Sequence, residues 1–161
     1  MTQQRAATSR DEINPRSLMA EVSGLEFLQG LASGRYPGAA MQATANIRLD
    51  EISQGRVTFA GHPVFAHANP FGATHGGWYG VVLDSAMGCA VMSTLNRGTW
   101  YTTLDYHVNI LRPLPEGMEM VAEGLIQHSG RSTAVARGEI RGRADGRLYA
   151  TGSTTCIVFP V

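Results

Sequence analysis

The 161-residue chain contains no lysine; all thirteen of its basic residues are arginine. A lysine Schiff base and the lysine of a nucleotide-binding P-loop are therefore excluded. Only two cysteines are present, Cys89 and Cys156, and neither belongs to a Cys-x-x-Cys pair. A Cys-rich zinc site or a disulfide framework does not fit that usage; both cysteines lie in apolar stretches and are expected as packing residues. Charge is also scarce. Charged residues make up 16% of the chain, against roughly 25% in ordinary soluble domains, and thirteen acidic residues cancel thirteen basic ones. Nothing in that balance attracts nucleic acid, and none is expected as a partner. A small domain so poor in charge is expected to hide surface in an oligomer. The histidines show no metal-ligand spacing, and no metal is expected.

The N-terminal stretch MTQQRAATSRDEINPRS has no apolar core, so no secretory signal is read there. The one long apolar run, Gly76 to Leu95, carries Asp84 at its middle and four glycines. A central Asp costs several kcal/mol in a bilayer. The expectation is a cytoplasmic protein without a membrane partner.

What is present is a hydrophobic content of 43%, enough for a core. Residues 1–12 read as a flexible tail and residues 13–161 as one domain. Asn14-Pro15 offers a helix start, and Leu18, Val22, Leu25, Leu28 and Leu31 give a helical stripe that Gly24 interrupts. Residues 42–65 alternate around Gln54-Gly55 as a hairpin. HANPFGAT, 67–74, is a loop. Gly76–Leu95 is apolar on every side and predicts a helix buried all round. Four strands follow: Trp100–Leu111, Glu119–His128, Arg131–Arg141 and Leu148–Phe159. Hairpin-linked strands and an all-apolar helix imply an α+β fold, a curved antiparallel sheet of about six strands wrapped around one long helix, with a short N-terminal helix. One sheet cannot enclose a helix completely, so a second subunit is a natural cover.

The chemistry concentrates in Asn69-Pro-Phe-Gly-Ala-Thr-His75-Gly-Gly-Trp-Tyr-Gly-Val-Val-Leu-Asp84. A carboxylate inside an apolar helix is costly without a partner; it is either satisfied structurally, by Ser85 or backbone, or kept for function. His75-Gly76-Gly77 falls where the helix begins. There free N–H groups and a positive dipole end can receive a carbonyl oxygen, and glycine permits close approach. His75 and Asp84 are nine residues apart, which on a helix is roughly 13.5 Å of rise and about 900° of rotation. They face opposite ways, so a shared site needs the helix start of one subunit and the Asp of another.

The pattern Asn-x5-His-Gly-Gly-x6-Asp (Asn69, His75, Gly76, Gly77, Asp84), with Thr103-Leu104-Asp105 and Arg112-Pro113 downstream, resembles the PaaI-like branch of the hotdog-fold acyl-CoA thioesterases. The likeness runs from about Gly24 to Phe159. It implies hydrolysis of an acyl-CoA thioester to free acid and CoA, with no cofactor beyond the CoA of the substrate. By that resemblance Asp84 is nucleophile or general base. The Gly76 N–H polarises the thioester carbonyl. His75 orients the site or assists the leaving thiolate, and Asn69 positions water or the carbonyl. Thr103 (or Thr102, one residue away) assists the attack. For CoA, the resemblance points to Arg131 and Ser132 in the Ser129–Ser132 turn, to Arg112 and to Gly77. Trp78, with Tyr79 and Phe71, lines the acyl pocket or packs at a dimer interface. The implied assembly is a homodimer, and a dimer of dimers. Competing readings are a hotdog hydratase or dehydratase, whose motifs are not found here, and a non-catalytic acyl-CoA-binding module.

Overall fold

The computed structural model describes residues 4–161, and its architecture is the one expected. Six strands form one antiparallel sheet among the described residues: β1 (Ile47–Ser53), β2 (Arg56–Gly61), β3 (Thr99–Ile110), β4 (Met120–Ser129), β5 (Thr133–Gly142) and β6 (Leu148–Pro160), in the order β1-β2-β4-β5-β6-β3. Helices α1 (Gly24–Ala32), α2 (Ala40–Thr44) and α3 (Gly76–Met92) complete the fold. The fully buried side chains of α3, Val82, Leu83, Met87 and Val91, join Val57, Phe59, Met120 and Ile140 of the sheet in one core. Each such residue contributes about 1.5–3 kcal/mol of transfer free energy.

A row of glycines lets the helix lie close to the sheet. Gly124, Gly138 and Gly152 stand directly opposite one another on β4, β5 and β6. A Cβ on Gly124 would come within 2.1 Å of the Ala86 carbonyl oxygen, and one on Gly138 within 2.9 Å of Met87. Side chains here would lift α3 off the sheet.

Three local readings change. Gly24 does not interrupt a helix; it begins one. Ser23 caps α1 by accepting from the Glu26 N–H, while the Glu26 carboxylate accepts from the Ser23 N–H, a capping box. A Cβ on Gly24 would meet the Met92 carbonyl oxygen at 1.8 Å, so glycine there serves close packing. The stretch after Asn14 forms a short 3-10 turn, Arg16–Ala20, and Ala40–Thr44 forms α2 ahead of the hairpin. Residues 1–3 of the expected tail lie outside the described residues. Its remainder is tied to the domain: the Ala7 N–H donates to Gly38 O and the Gly38 N–H to Arg5 O, each at 2.8 Å, and the Gln4 amide pairs with both backbone groups of Leu49.

Candidate active site

Strand β3 runs along α3 at the sheet edge, and one bulge sets what it presents. Thr103 pairs with Cys156 and Asp105 with Thr155, so Leu104 is the extra residue. A bulge reverses the alternation beyond it. Tyr101 and Thr103 therefore face α3 before it, and Tyr106 and Ile110 after it. Their partners on the helix are four residues apart, one face of a helix. The Tyr101 ring lies over Gly88, Thr103 meets Asp84, Tyr106 lies over Gly80, and Ile110 lies over Gly76.

Asp84 is half-buried, and its Oδ1 accepts a hydrogen bond from Thr103 Oγ1 at 3.0 Å. Ser85 does not satisfy it; that hydroxyl donates to Val81 O at 2.8 Å. Thr102 is exposed on the other side of the strand, so the hydroxyl facing Asp84 belongs to Thr103. The carboxylate also lines a cavity of about 1040 Å³. Beside it, burial and the Asp84 charge push the Cys89 thiol up to about 12. Burial, with the nearby thiols and Asp84, pushes the Tyr101 hydroxyl well above its usual range. Both stay protonated at neutral pH.

The start of α3 is pinned from several directions. His75 is its cap: Nδ1 accepts from the Gly77 N–H at 2.9 Å, and its own N–H donates to His67 O at 2.8 Å. His67 in turn accepts from the Val64 N–H through Nδ1 and donates to Thr44 O through Nε2. The Tyr79 hydroxyl accepts from the Leu114 N–H, and the Thr74 hydroxyl donates to Leu114 O. The Gly77 N–H is thus occupied by His75 and is not the free donor expected for a ligand. The Gly76 N–H, first of the helix and exposed, makes no hydrogen bond among the described residues.

Other expected site residues fall elsewhere. Asn69 turns its Oδ1 into its own loop, accepting from the N–H groups of Phe71 and Ala73. That leaves only its amide N–H₂ to meet a ligand. Trp78 does not line the cavity: it is 5% exposed, and its Nε1–H donates to Ala45 O inside the core. Tyr79 is buried beside it, edge to face. Phe71 is 95% exposed at the loop tip. Arg131 and Ser132 are exposed in the β4–β5 turn, next to Ser129, whose hydroxyl meets Thr94 just beyond the C-terminal end of α3. Arg112 is exposed and lies over the Tyr149 ring. The sequence reading missed the cavity walls, above all Tyr101 and Cys89. Tyr101 had a legible signal, lying two residues before Thr103 on the same strand face.

Asp84 and the Gly76 N–H are eight residues apart on one helix, about 12 Å of rise. They do not converge within one chain. Among the described residues no group of three or more His, Cys, Asp or Glu side chains can hold a metal, and no helix is long and apolar enough to cross a membrane.

The family model described as the thioesterase superfamily matches residues 71–149, from the loop before α3 to the start of β6. Over that stretch the chain is similar to the thioesterase superfamily. Its architecture is the hotdog fold of that superfamily. A thioesterase family protein from Silicibacter pomeroyi is 27% identical, with a TM-score of 0.74, covering 86% of this chain and 100% of that one. A hypothetical thioesterase protein from Streptococcus pneumoniae, solved with coenzyme A, is 26% identical with a TM-score of 0.68, covering 75% of this chain and 91% of its own. Acyl-coenzyme A thioesterase 13 of Mus musculus is 30% identical over 89 residues, 55% of this chain; the chain spans 63% of that relative's length.

Proposed function

We propose that this protein is a thioesterase that hydrolyses an acyl-CoA thioester to the free acid and CoA. The observation that carries the reading is Asp84, a carboxylate in the middle of an apolar helix, held at one oxygen by Thr103 and lining a large cavity. The match of residues 71–149 to the thioesterase superfamily and the similar protein solved with coenzyme A support it.

In this reading Asp84 takes a proton from the attacking water or attacks the carbonyl carbon itself. As the new C–O bond forms, the carbonyl electron pair moves to oxygen and is received by the free N–H of Gly76 from a second copy. Collapse of the tetrahedral adduct breaks the C–S bond, and CoA departs with the electron pair and recovers a proton. In the covalent route water then cleaves the acyl–Asp84 anhydride. His75 holds the helix start in shape through the Gly77 N–H, and the Asn69 amide keeps the preceding loop in place. Arg131, Ser132 and Arg112 meet the CoA phosphates, which suit guanidinium groups. The reaction uses no cofactor beyond the CoA of its substrate, and a cytoplasmic location belongs to the same reading.

A homodimer follows from the separation of Asp84 and Gly76 and from the β3 edge. Among the described residues that strand pairs only with β6, and its exposed Leu104, Tyr106 and Ile110 form an apolar border. An open apolar edge is a template for pairing with another chain. A dimer of dimers extends the same proposal.

The test is thiol release from a panel of acyl-CoAs by wild type and Asp84→Asn. Cleavage by the wild type with a loss of at least about 100-fold in the variant is expected. Cleavage of none would replace the hydrolase with an acyl-CoA-binding module. Turnover in ¹⁸O-water and a mass spectrum of the quenched enzyme separate the two roles of Asp84: an acyl–Asp84 adduct or label in Asp84 marks the nucleophile, and label in the product acid with neither marks the general base.

A further inference from the structure

We infer that the cavity beside Asp84 receives the acyl chain, that its outer wall is the N-terminal segment Ala7–Asn14, and that the substrate class is a medium-chain apolar acyl thioester. This rests on the hydrolase reading above. The cavity holds about 1040 Å³, at the top of the roughly 300–1,000 Å³ of ordinary small-molecule sites. An acetyl group would leave nearly all of it unfilled.

The lining joins Val81 and Cys89 from α3, Phe27 and Leu28 from α1, and Tyr101 and Tyr106 from β3 with polar groups, among them Ser85 and Gln42. With the carbonyl carbon at Asp84, the alkyl tail runs away from the carboxylate across this lining. It ends against the residues of the N-terminal segment that line the cavity: Ala7, which is buried, Thr8, Ser9, Arg10, Ile13 and Asn14. That wall is held by the Ala7–Gly38 and Gly38–Arg5 backbone hydrogen bonds and by Asn14 Nδ2 donating to Pro37 O at 2.8 Å. It lies outside the 71–149 region matched by the family model. Each methylene taken from water into such a cavity favours binding by a factor of about four.

The experiment uses the full chain as wild type, Ala7→Phe and Cys89→Phe, which narrow the cavity from the wall and from the helix. kcat/KM is measured for acetyl-, butyryl-, octanoyl- and dodecanoyl-CoA. Binding of S-ethyl-CoA and S-octyl-CoA, which cannot be hydrolysed, is measured by calorimetry. The wild type is expected to favour octanoyl over acetyl at least about tenfold. Ala7→Phe lowers the octanoyl-to-butyryl ratio at least about tenfold, mainly through KM. A folding defect would lower every substrate alike and leave that ratio unchanged. Hydrolysis with a flat chain-length profile, or a ratio unmoved in both variants, overturns the inference. If no thioester is cleaved, the hydrolase reading fails while the cavity is still decided. S-octyl-CoA binding at least about tenfold tighter than S-ethyl-CoA, with the advantage lost in Ala7→Phe, supports it; equal affinities overturn it.

Discussion

On one side of α3, Leu83 and Met87 press onto Gly138 and Gly152 of the sheet, at distances that leave no room for another carbon atom. On the other, Gly76, Gly80, Asp84 and Gly88 meet Ile110, Tyr106, Thr103 and Tyr101 of an edge strand, with a cavity alongside. The first side is dry, central in the sheet and filled by complementary shapes. The second keeps a charge, an open border and unfilled volume. Stability comes from the close-packed side. The reactive group sits where packing is incomplete, because a carboxylate there can reach both a hydroxyl and a ligand.

Substitutions on the two sides should therefore separate folding from activity. Asp84→Asn has the largest expected effect: kcat/KM falls at least about 100-fold, while the thermal midpoint stays within a few degrees of wild type. A large drop in midpoint would make Asp84 a structural residue. Leu83→Ala does the opposite. Loss of buried volume destabilises by about 2–5 kcal/mol, read from denaturant titration, while molecules that remain folded keep kcat within a few-fold of wild type. Thr103→Val removes the hydroxyl donor to Asp84 and should lower kcat roughly tenfold, the scale of one hydrogen bond to a charged group; Thr103→Ser should restore most of the rate.

The smallest effect concerns Glu26, exposed in the first turn of α1. The Ser23 N–H, the Arg97 guanidinium and the Ser23 hydroxyl hold its carboxyl down to about 2, below its usual 4.5. Its contribution is present above pH 4.5 and is lost as pH falls toward 2, because the folded state then binds the proton less readily than the unfolded chain. Glu26→Gln should be slightly less stable than wild type at pH 7 and equal to it near pH 2, with kcat unchanged.

The pattern of alternating strands and one all-apolar helix was legible because periodicity depends only on which side of each element is buried. Asp84 stood out for the same reason, as a lone charge in an apolar run. Less legible were features set by contacts distant in sequence. Gly24 read as a helix breaker because its reason, the Met92 carbonyl, is nearly seventy residues away. Trp78 read as a pocket or interface residue because the first turn of a helix has both an inner and an outer side, and its bond to Ala45 O places it on the inner one. The Leu104 bulge leaves no sequence mark, yet it brings Thr103 to Asp84. The glycine row did leave one: Gly124, Gly138 and Gly152 recur every fourteen residues, the length of one hairpin repeat.

The central claim, that one site combines Asp84 of one copy with the Gly76 N–H of another, has a direct test in subunit complementation. Asp84→Asn removes the carboxylate. Gly76→Pro removes the N–H at a first helical position that suits proline, after a His75 backbone already extended as proline requires. Each variant alone should be nearly inactive. After the two are unfolded together and refolded as an equal mixture, half the dimers are mixed and each carries one intact site of two, so activity should rise to about a quarter of wild type. Activity no higher than the sum of the separate variants would contradict a site shared between subunits.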